Sequence, residues 1–239
     1  MSETTSVRTN HLGQPIGAPL SGWTARPRPP RAPMQGRLCR LEPVDADRHA
    51  RALHEAYAAD VEGRNWTYLP YGPFESAEAY TLAIKSVQGL DDPMPFAIVD
   101  PASDRPVGVA SYLNIAPPMG SIEVGAILYS PALQRSPAAT EAMYLMMRRV
   151  FDELGYRRYE WKCDSLNAAS RRAALRLGFR FEGIFRQAWV VKGRNRDTAW
   201  YSVIDSEWPA LRTAFERWLD PSNFDVQGRQ RARLEDLRG

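Results

Sequence analysis

The feature that most limits the fold is a strand, break, helix, strand run between residues 122 and 163. Ile122-Glu-Val-Gly-Ala-Ile-Leu128 has the β-branched content and apolar bias of a buried strand, and Ser130-Pro131 ends it. Met143, Met146, Met147, Val150, Phe151 and Leu154 then recur at helical spacing, with Arg148, Arg149, Asp152 and Glu153 on the other face. Ser136 is placed to cap this helix and Pro137 to start it. Proline's fixed φ suits the first turn, where its missing N–H has no intrahelical partner to lose. Gly155 closes the far end. Arg158-Tyr-Glu-Trp-Lys-Cys163 alternates at period two and reads as the next strand. A crossover of this kind makes its two strands parallel.

At the start of that helix, free N–H groups and the positive end of the helix dipole point into the preceding loop, where Arg135 adds a formal charge. Phosphate is the usual guest of such a site, although capping alone does not make one. The next stretch, Asp164-Ser-Leu-Asn-Ala-Ala-Ser-Arg-Arg-Ala-Ala-Leu-Arg-Leu-Gly-Phe179, supplies the rest of a pattern. Gln134-Arg-Ser-Pro-Ala-Ala139, Asn167-Ala-Ala-Ser170, Leu177-Gly-Phe179 and Phe181-Glu-Gly183 follow one another at family spacing. Together they resemble the GNAT superfamily of acetyl-CoA-dependent N-acetyltransferases, and most closely its RimJ/RimL-like branch, over about residues 36 to 219.

The resemblance implies a GNAT fold in which two parallel strands splay and pantetheine threads the gap. It implies acetyl-CoA as co-substrate, an amine-bearing acceptor, direct attack without a covalent enzyme intermediate, and often a homodimer. Gln134, Arg135, Ser136, Ala138, Ala139 and Thr140 would line the diphosphate, and the backbone near Ile127 and Leu128 would hold the oxyanion. Asn167 either caps its helix or bonds the pantetheine amide. Ser170 either hydrogen-bonds the departing thiolate or completes the helix start. Arg171 and its neighbour Arg172 either anchor phosphate or form a solvated face. The family loop carries a glycine where Pro137 stands, and proline there removes one N–H. A catalytically weak acyl-CoA-binding regulatory module is the alternative that this departure keeps open.

Glu123 is the candidate general base, sharing a strand face with Gly125 and Ile127 and opposing Ile122, Val124 and Leu128. Its other reading is a strand residue paired with a neighbouring arginine. How strong a base is required depends on the acceptor. Deprotonating lysine at pH 7 costs about 4.6 kcal/mol, an α-amine only about 1.1 kcal/mol. Trp66, Tyr68 and Tyr71 lie in an aromatic loop, Arg64 to Phe74, that either walls the acceptor pocket or lids a core.

Elsewhere the chain reads as α+β: a mixed, mostly antiparallel sheet flanked by helices. Strands are expected at Arg37 to Val44, Pro95 to Val99, Val107 to Leu113 and Asp197 to Ile204. Helices are expected at Asp45 to Ala59, Ala77 to Val87 and Glu207 to Leu219. Residues 1–35, with six prolines between Pro15 and Pro33, form an extended arm, 36–219 the acetyltransferase domain, and 220–239 a polar basic tail. Two distant cysteines, Cys39 and Cys163, point away from a disulfide scaffold and toward a reducing cytoplasm. His11, His49 and His54 lack metal-ligand spacing, the latter two reading as surface residues, so no metal site is expected. No apolar run reaches membrane-spanning length. Arginines gather at both ends, but the net charge of +3 and the lack of interleaved aromatics argue against a nucleic-acid partner. If Pro137 withholds a donor, Pro137→Gly tightens acetyl-CoA binding by calorimetry; unchanged affinity removes Pro137 from the argument.

Overall fold

The structure, a computed structural model, describes residues 8–238. A small antiparallel hairpin of β1 (Arg8–Thr9) and β2 (Pro15–Ile16) stands apart from the main sheet. The chain continues through β3 (Met34–Gln35), β4 (Arg40–Pro43), a π-helical turn at Ala46–Ala50, α1 (Arg51–Tyr57) and α2 (Ala77–Val87). β5 (Met94–Asp100), β6 (Arg105–Ala116) and β7 (Ser121–Tyr129) form a meander. Next come α3 (Pro137–Arg148), extended by a π-helical segment at Arg149–Glu153, then β8 (Arg158–Asp164) and α4 (Ala168–Arg176). β9 (Arg180–Val191), β10 (Arg194–Ile204) and α5 (Trp208–Leu219) follow.

The sheet order is β3-β4-β5-β6-β7-β8-β10-β9, with β7 and β8 parallel and the other neighbours antiparallel. This is the α+β class expected, and the parallel pair is the one joined by the crossover helix. Period-two alternation sets the layers. Phe96, Ile98, Ala110 and Tyr112 pack toward α3 and α5, whereas Ala97, Val99 and Val109 pack toward α1 and α2. On α5, Trp208, Leu211, Phe215 and Trp218 form the buried stripe. No helix among the described residues is long and apolar enough to cross a membrane.

Four sequence expectations change. The first strand starts at Arg40 rather than Arg37, because the N–H groups of Arg37, Leu38 and Cys39 are taken by Glu141 of α3, at 3.0, 2.6 and 2.8 Å. β9 was not foreseen. It pairs with β10 through a tight turn in which Lys192 and Gly193 both have positive φ, as a two-residue hairpin loop requires. His49 is buried rather than on the surface, and its Nδ1 accepts the Asp45 N–H at 3.0 Å. The basic ends are docked on the core at a few points, while Arg28, Arg31, Arg229, Arg231 and Arg233 stay exposed. Arg149 donates to the carbonyls of Ala32 and Pro33, and Trp23 is sandwiched near Arg26 and Arg157. In the last segment Leu234 is fully buried, Asn223 bonds Trp218 O and Ala232 N, and Arg238 donates to Leu175 O and Arg176 O.

Glu141 ties the turn ahead of β4 to the crossover helix. Replacing it leaves three backbone donors without their acceptor in a largely buried place. Glu141→Leu is therefore expected to lower unfolding free energy by about 2–4 kcal/mol, read as a fall in urea midpoint at unchanged slope.

Candidate active site

Opposite Ala110 on β6, strand β7 carries two residues, Ala126 and Ile127. The register steps from Ser111↔Gly125 to Val109↔Leu128. Ala126 has φ +48°, a left-handed value that L-residues adopt at a price in strain. An extra residue of this kind is a β-bulge, which bends and twists its strand. Its first consequence is that the parallel ladder between β7 and β8 ends at Val124↔Trp161, although both strands continue. Beyond that point the facing strand edges are unpaired, and a cleft opens.

The second consequence is a reversal of side-chain parity. Ile122 and Val124 pack toward α3, and past the bulge Ile127 does too, while Leu128 packs with α1 and α2. This corrects the expectation that Glu123 and Ile127 share one face and Val124 and Leu128 the other.

The cleft has a volume of about 750 Å³, within the range of small-molecule sites. Glu123, Ile127, Leu128, Asn167, Ser170, Tyr68 and Tyr71 all line it. Glu123 is buried; its Oε2 accepts from Lys162 Nζ at 2.8 Å and from Asn114 Nδ2 at 2.6 Å. The expected partner type was arginine; the partner is lysine. Lys162 also reaches Glu160 at 2.8 Å and sits 4.0 Å from the centre of the Trp200 ring. Gly125 leaves room at the carboxylate, since a Cβ there would stand 2.5 Å from Leu113 Cδ1 and 3.2 Å from Glu123 Oε1. Burial pushes the Glu123 carboxyl above the usual range, with Lys162 the main opposing influence.

Ser170 lies at the other side of the gap. Its Oγ accepts from Trp161 Nε1 at 2.9 Å, and its N–H donates to Asn167 Oδ1 at 3.1 Å. Asn167 is thus the helix cap. Cys163 is buried; burial pushes its thiol up, against weaker pulls from Ser170, Arg196 and Arg171. Arg171 is committed within the fold, donating to Tyr201 Oη at 3.0 Å and Ser165 O at 3.2 Å.

The diphosphate candidates stand beside the cleft rather than on its wall. Ser136 caps α3 by accepting the Ala139 N–H at 3.2 Å, and its own N–H donates to Leu133 O at 3.3 Å. The backbone donors of Ser136 and Ala139 are therefore used internally. Thr140 is buried, with its hydroxyl accepting from Arg176. Gln134 bonds Asn65 and Tyr129 O instead of pointing into the loop mouth. Arg135, with φ +58°, and Ala138 have N–H groups without partners among the described residues, and the Arg135 side chain is exposed. Those donors and the unpaired strand edges suit a diphosphate joined to an extended chain.

In the aromatic loop, Tyr68 and Tyr71 line the cleft. Trp66 does not line it. It is buried edge-on against Tyr57, Phe74 and Tyr80, at 5.6, 5.7 and 6.4 Å, so its loop lids a core as well as walling the cleft. The sequence reading missed Asn114, Lys162, Phe185, Trp189, Arg196, Thr198 and Trp200, all near or on the cleft wall. The available signal was the aromatic run from Phe181 to Val191 ahead of Lys192-Gly193, which marks a strand and a turn.

Residues 38–180 match the family described as acetyltransferase (GNAT) domain. The chain belongs to the GNAT acetyltransferases. A GCN5-related N-acetyltransferase structure from Brucella melitensis is 48% identical and covers 92% of this chain and 99% of its own, with a TM-score of 0.90. A probable GNAT-family acetyltransferase from Chromobacterium violaceum is 43% identical over 82% of this chain and 98% of its own, with a TM-score of 0.77. A ribosomal-protein-S5-alanine acetyltransferase structure from Vibrio fischeri, at 18% identity and a TM-score of 0.57, shares the fold. No curated protein matches the chain. As a GNAT acetyltransferase, the protein uses acetyl-CoA and transfers the acyl group to an amine.

Because Lys162 favours the ionised form of Glu123, removing it pushes that carboxyl further up. Carboxyl-carbon NMR is expected to show Glu123 titrating above the ordinary value of about 4.3, and higher again in Lys162→Met.

Proposed function

We propose that the protein acetylates an amine of a small molecule or a protein N-terminus by direct attack on acetyl-CoA, with Glu123 as general base and Ser170 at the departing thiolate. The observation that carries this reading is a buried carboxylate, held by Asn114 and Lys162, facing a gap between two strands whose ladder has stopped. Holding amine and thioester together there contributes most, up to roughly 7 to 11 kcal/mol. A backbone donor at the bulge, near Ile127 and Leu128, adds about 2.7–4 kcal/mol if aimed at the oxyanion.

Glu123 takes the ammonium proton only when ionised, and its raised pKa makes the carboxylate a better proton acceptor than an exposed glutamate. Ser170 has a hydroxyl hydrogen left to give, since Trp161 donates to its oxygen. That hydrogen suits the sulfur that leaves. Cys163 is no rival nucleophile, because burial holds it as the thiol. Arg135 and Ala138 remain the candidates for holding phosphate, Arg171 being tied to Tyr201 and Ser165. Relation to the RimJ/RimL-like branch, a cytoplasmic setting and a dimer fit the sequence motifs and belong to this proposal.

Release of free CoA thiol over a panel of amines tests it. Acetyl-CoA is expected to bind by calorimetry, and Glu123→Gln to lower kcat/KM by about a hundredfold or more without changing that affinity. In the native enzyme kcat/KM falls as pH drops through the raised Glu123 pKa. Binding of acetyl-CoA with no thiol release on any amine would favour a regulatory module.

A further inference from the structure

Strand β10 sends Arg196, Thr198 and Trp200 into the cleft, at alternate positions of one face. Thr198 lies opposite Phe185 of β9, and Arg196 opposite Trp189. Phe185 stacks on Trp200 at 4.4 Å, and Tyr68, Tyr71 and Phe74 complete an aromatic wall. Within this apolar setting two polar groups are left over. Arg196 Nε and Thr198 Oγ1 are buried and have no hydrogen-bond partner among the described residues.

A buried guanidinium nitrogen without an acceptor is costly unless a ligand supplies one. The other cation on the cleft wall, Lys162, is already held between Glu123 and Glu160. Among the described residues Arg196 has the Trp189 ring, 5.7 Å away, and no ion pair. Asp164, the nearest carboxylate along the ladder, pairs across from Thr198 and accepts the Leu166 N–H at 2.9 Å. Arg196 makes no ion pair with it.

We propose that Arg196, assisted by the Thr198 hydroxyl, binds a carboxylate of the acceptor, so that the preferred acceptor is an amine joined to an anionic group through an aromatic or apolar body. This rests on the acetyl-transfer reading for the identity of the amine end. Trp200 lies opposite Lys162, which touches Glu123, and Arg196 is four residues away along β10, about 13 Å of strand. Base and anion site are thus set apart by the length of the aromatic wall.

The test uses 4-(aminomethyl)benzoate and its uncharged counterpart, 4-(aminomethyl)benzamide, titrated calorimetrically into the full chain saturated with CoA, where no acetyl group is present to react. The benzoate is expected to bind about tenfold tighter than the amide. Arg196→Met brings that ratio close to one, and Arg196→Lys, which keeps the charge without the fork, retains part of it. Thermal unfolding and CoA affinity stay as in the native protein. Equal binding of the two probes, or binding of neither at millimolar concentration, overturns the proposal. So does a loss of CoA affinity in Arg196→Met, which would assign the guanidinium to a phosphate of the coenzyme. Should the binding preference hold while acetyl-CoA releases no thiol with either amine, the anion site stands and the acetyl-transfer reading fails.

Discussion

One extra residue in β7 decides the site. Had β7 kept a regular ladder, its whole length would pair with β8 on one side and β6 on the other, and no gap would exist for an extended ligand. The bulge at Ala126 breaks that continuity on both sides. It frees backbone groups in an otherwise satisfied sheet, turns the strand away from β8, and exchanges the faces of the residues that follow. A backbone conformation of this kind persists only because packing on both sides of the sheet overdetermines it. Ile122 and Val124 are anchored in one core and Leu128 in the other.

Around that opening the sheet carries a chain of charges instead of isolated groups. Asn114, Glu123, Lys162, Glu160, Arg158, Glu182 and Ser202 connect in sequence from the cleft to the outer hairpin. Glu123 and Glu160 are direct neighbours across the parallel pair. Two like charges at that spacing repel, and Lys162 between them makes the arrangement tolerable. Arg158 and Ser202 together hold Glu182 down at about 2, so the outer end of the chain stays ionised while burial keeps Glu123 the weaker acid. The better proton acceptor of these two carboxylates thus sits at the inner end.

The crossover helix, its Ser136 cap and its Pro137 start were legible because capping and helical periodicity are local rules. So were α2 and the buried stripe of α5. β9 escaped because nearly all of its side chains are exposed, which removes the contrast between a core face and a solvent face. With it went Phe185 and Trp189, and with the full extent of β10 went Arg196. Trp66 and Tyr68 sit two residues apart in one loop and look alike in sequence, yet one is in the core and the other on the cleft wall. Nothing local distinguishes them.

The linear chain alone determined the crossover helix, the parallel pair it joins, and the residue types available for acid–base work, since these follow from periodicity, caps and turn chemistry along neighbouring residues. The third dimension decided which groups are free to act. Whether a donor at Ser136, a guanidinium at Arg171 or one at Arg196 has spare valence depends on partners distant in sequence. The bulge that reverses the faces of β7 depends on how β6, β7 and β8 share their hydrogen bonds. Hydrogen-bond capacity is finite, and only the assembled fold allocates it.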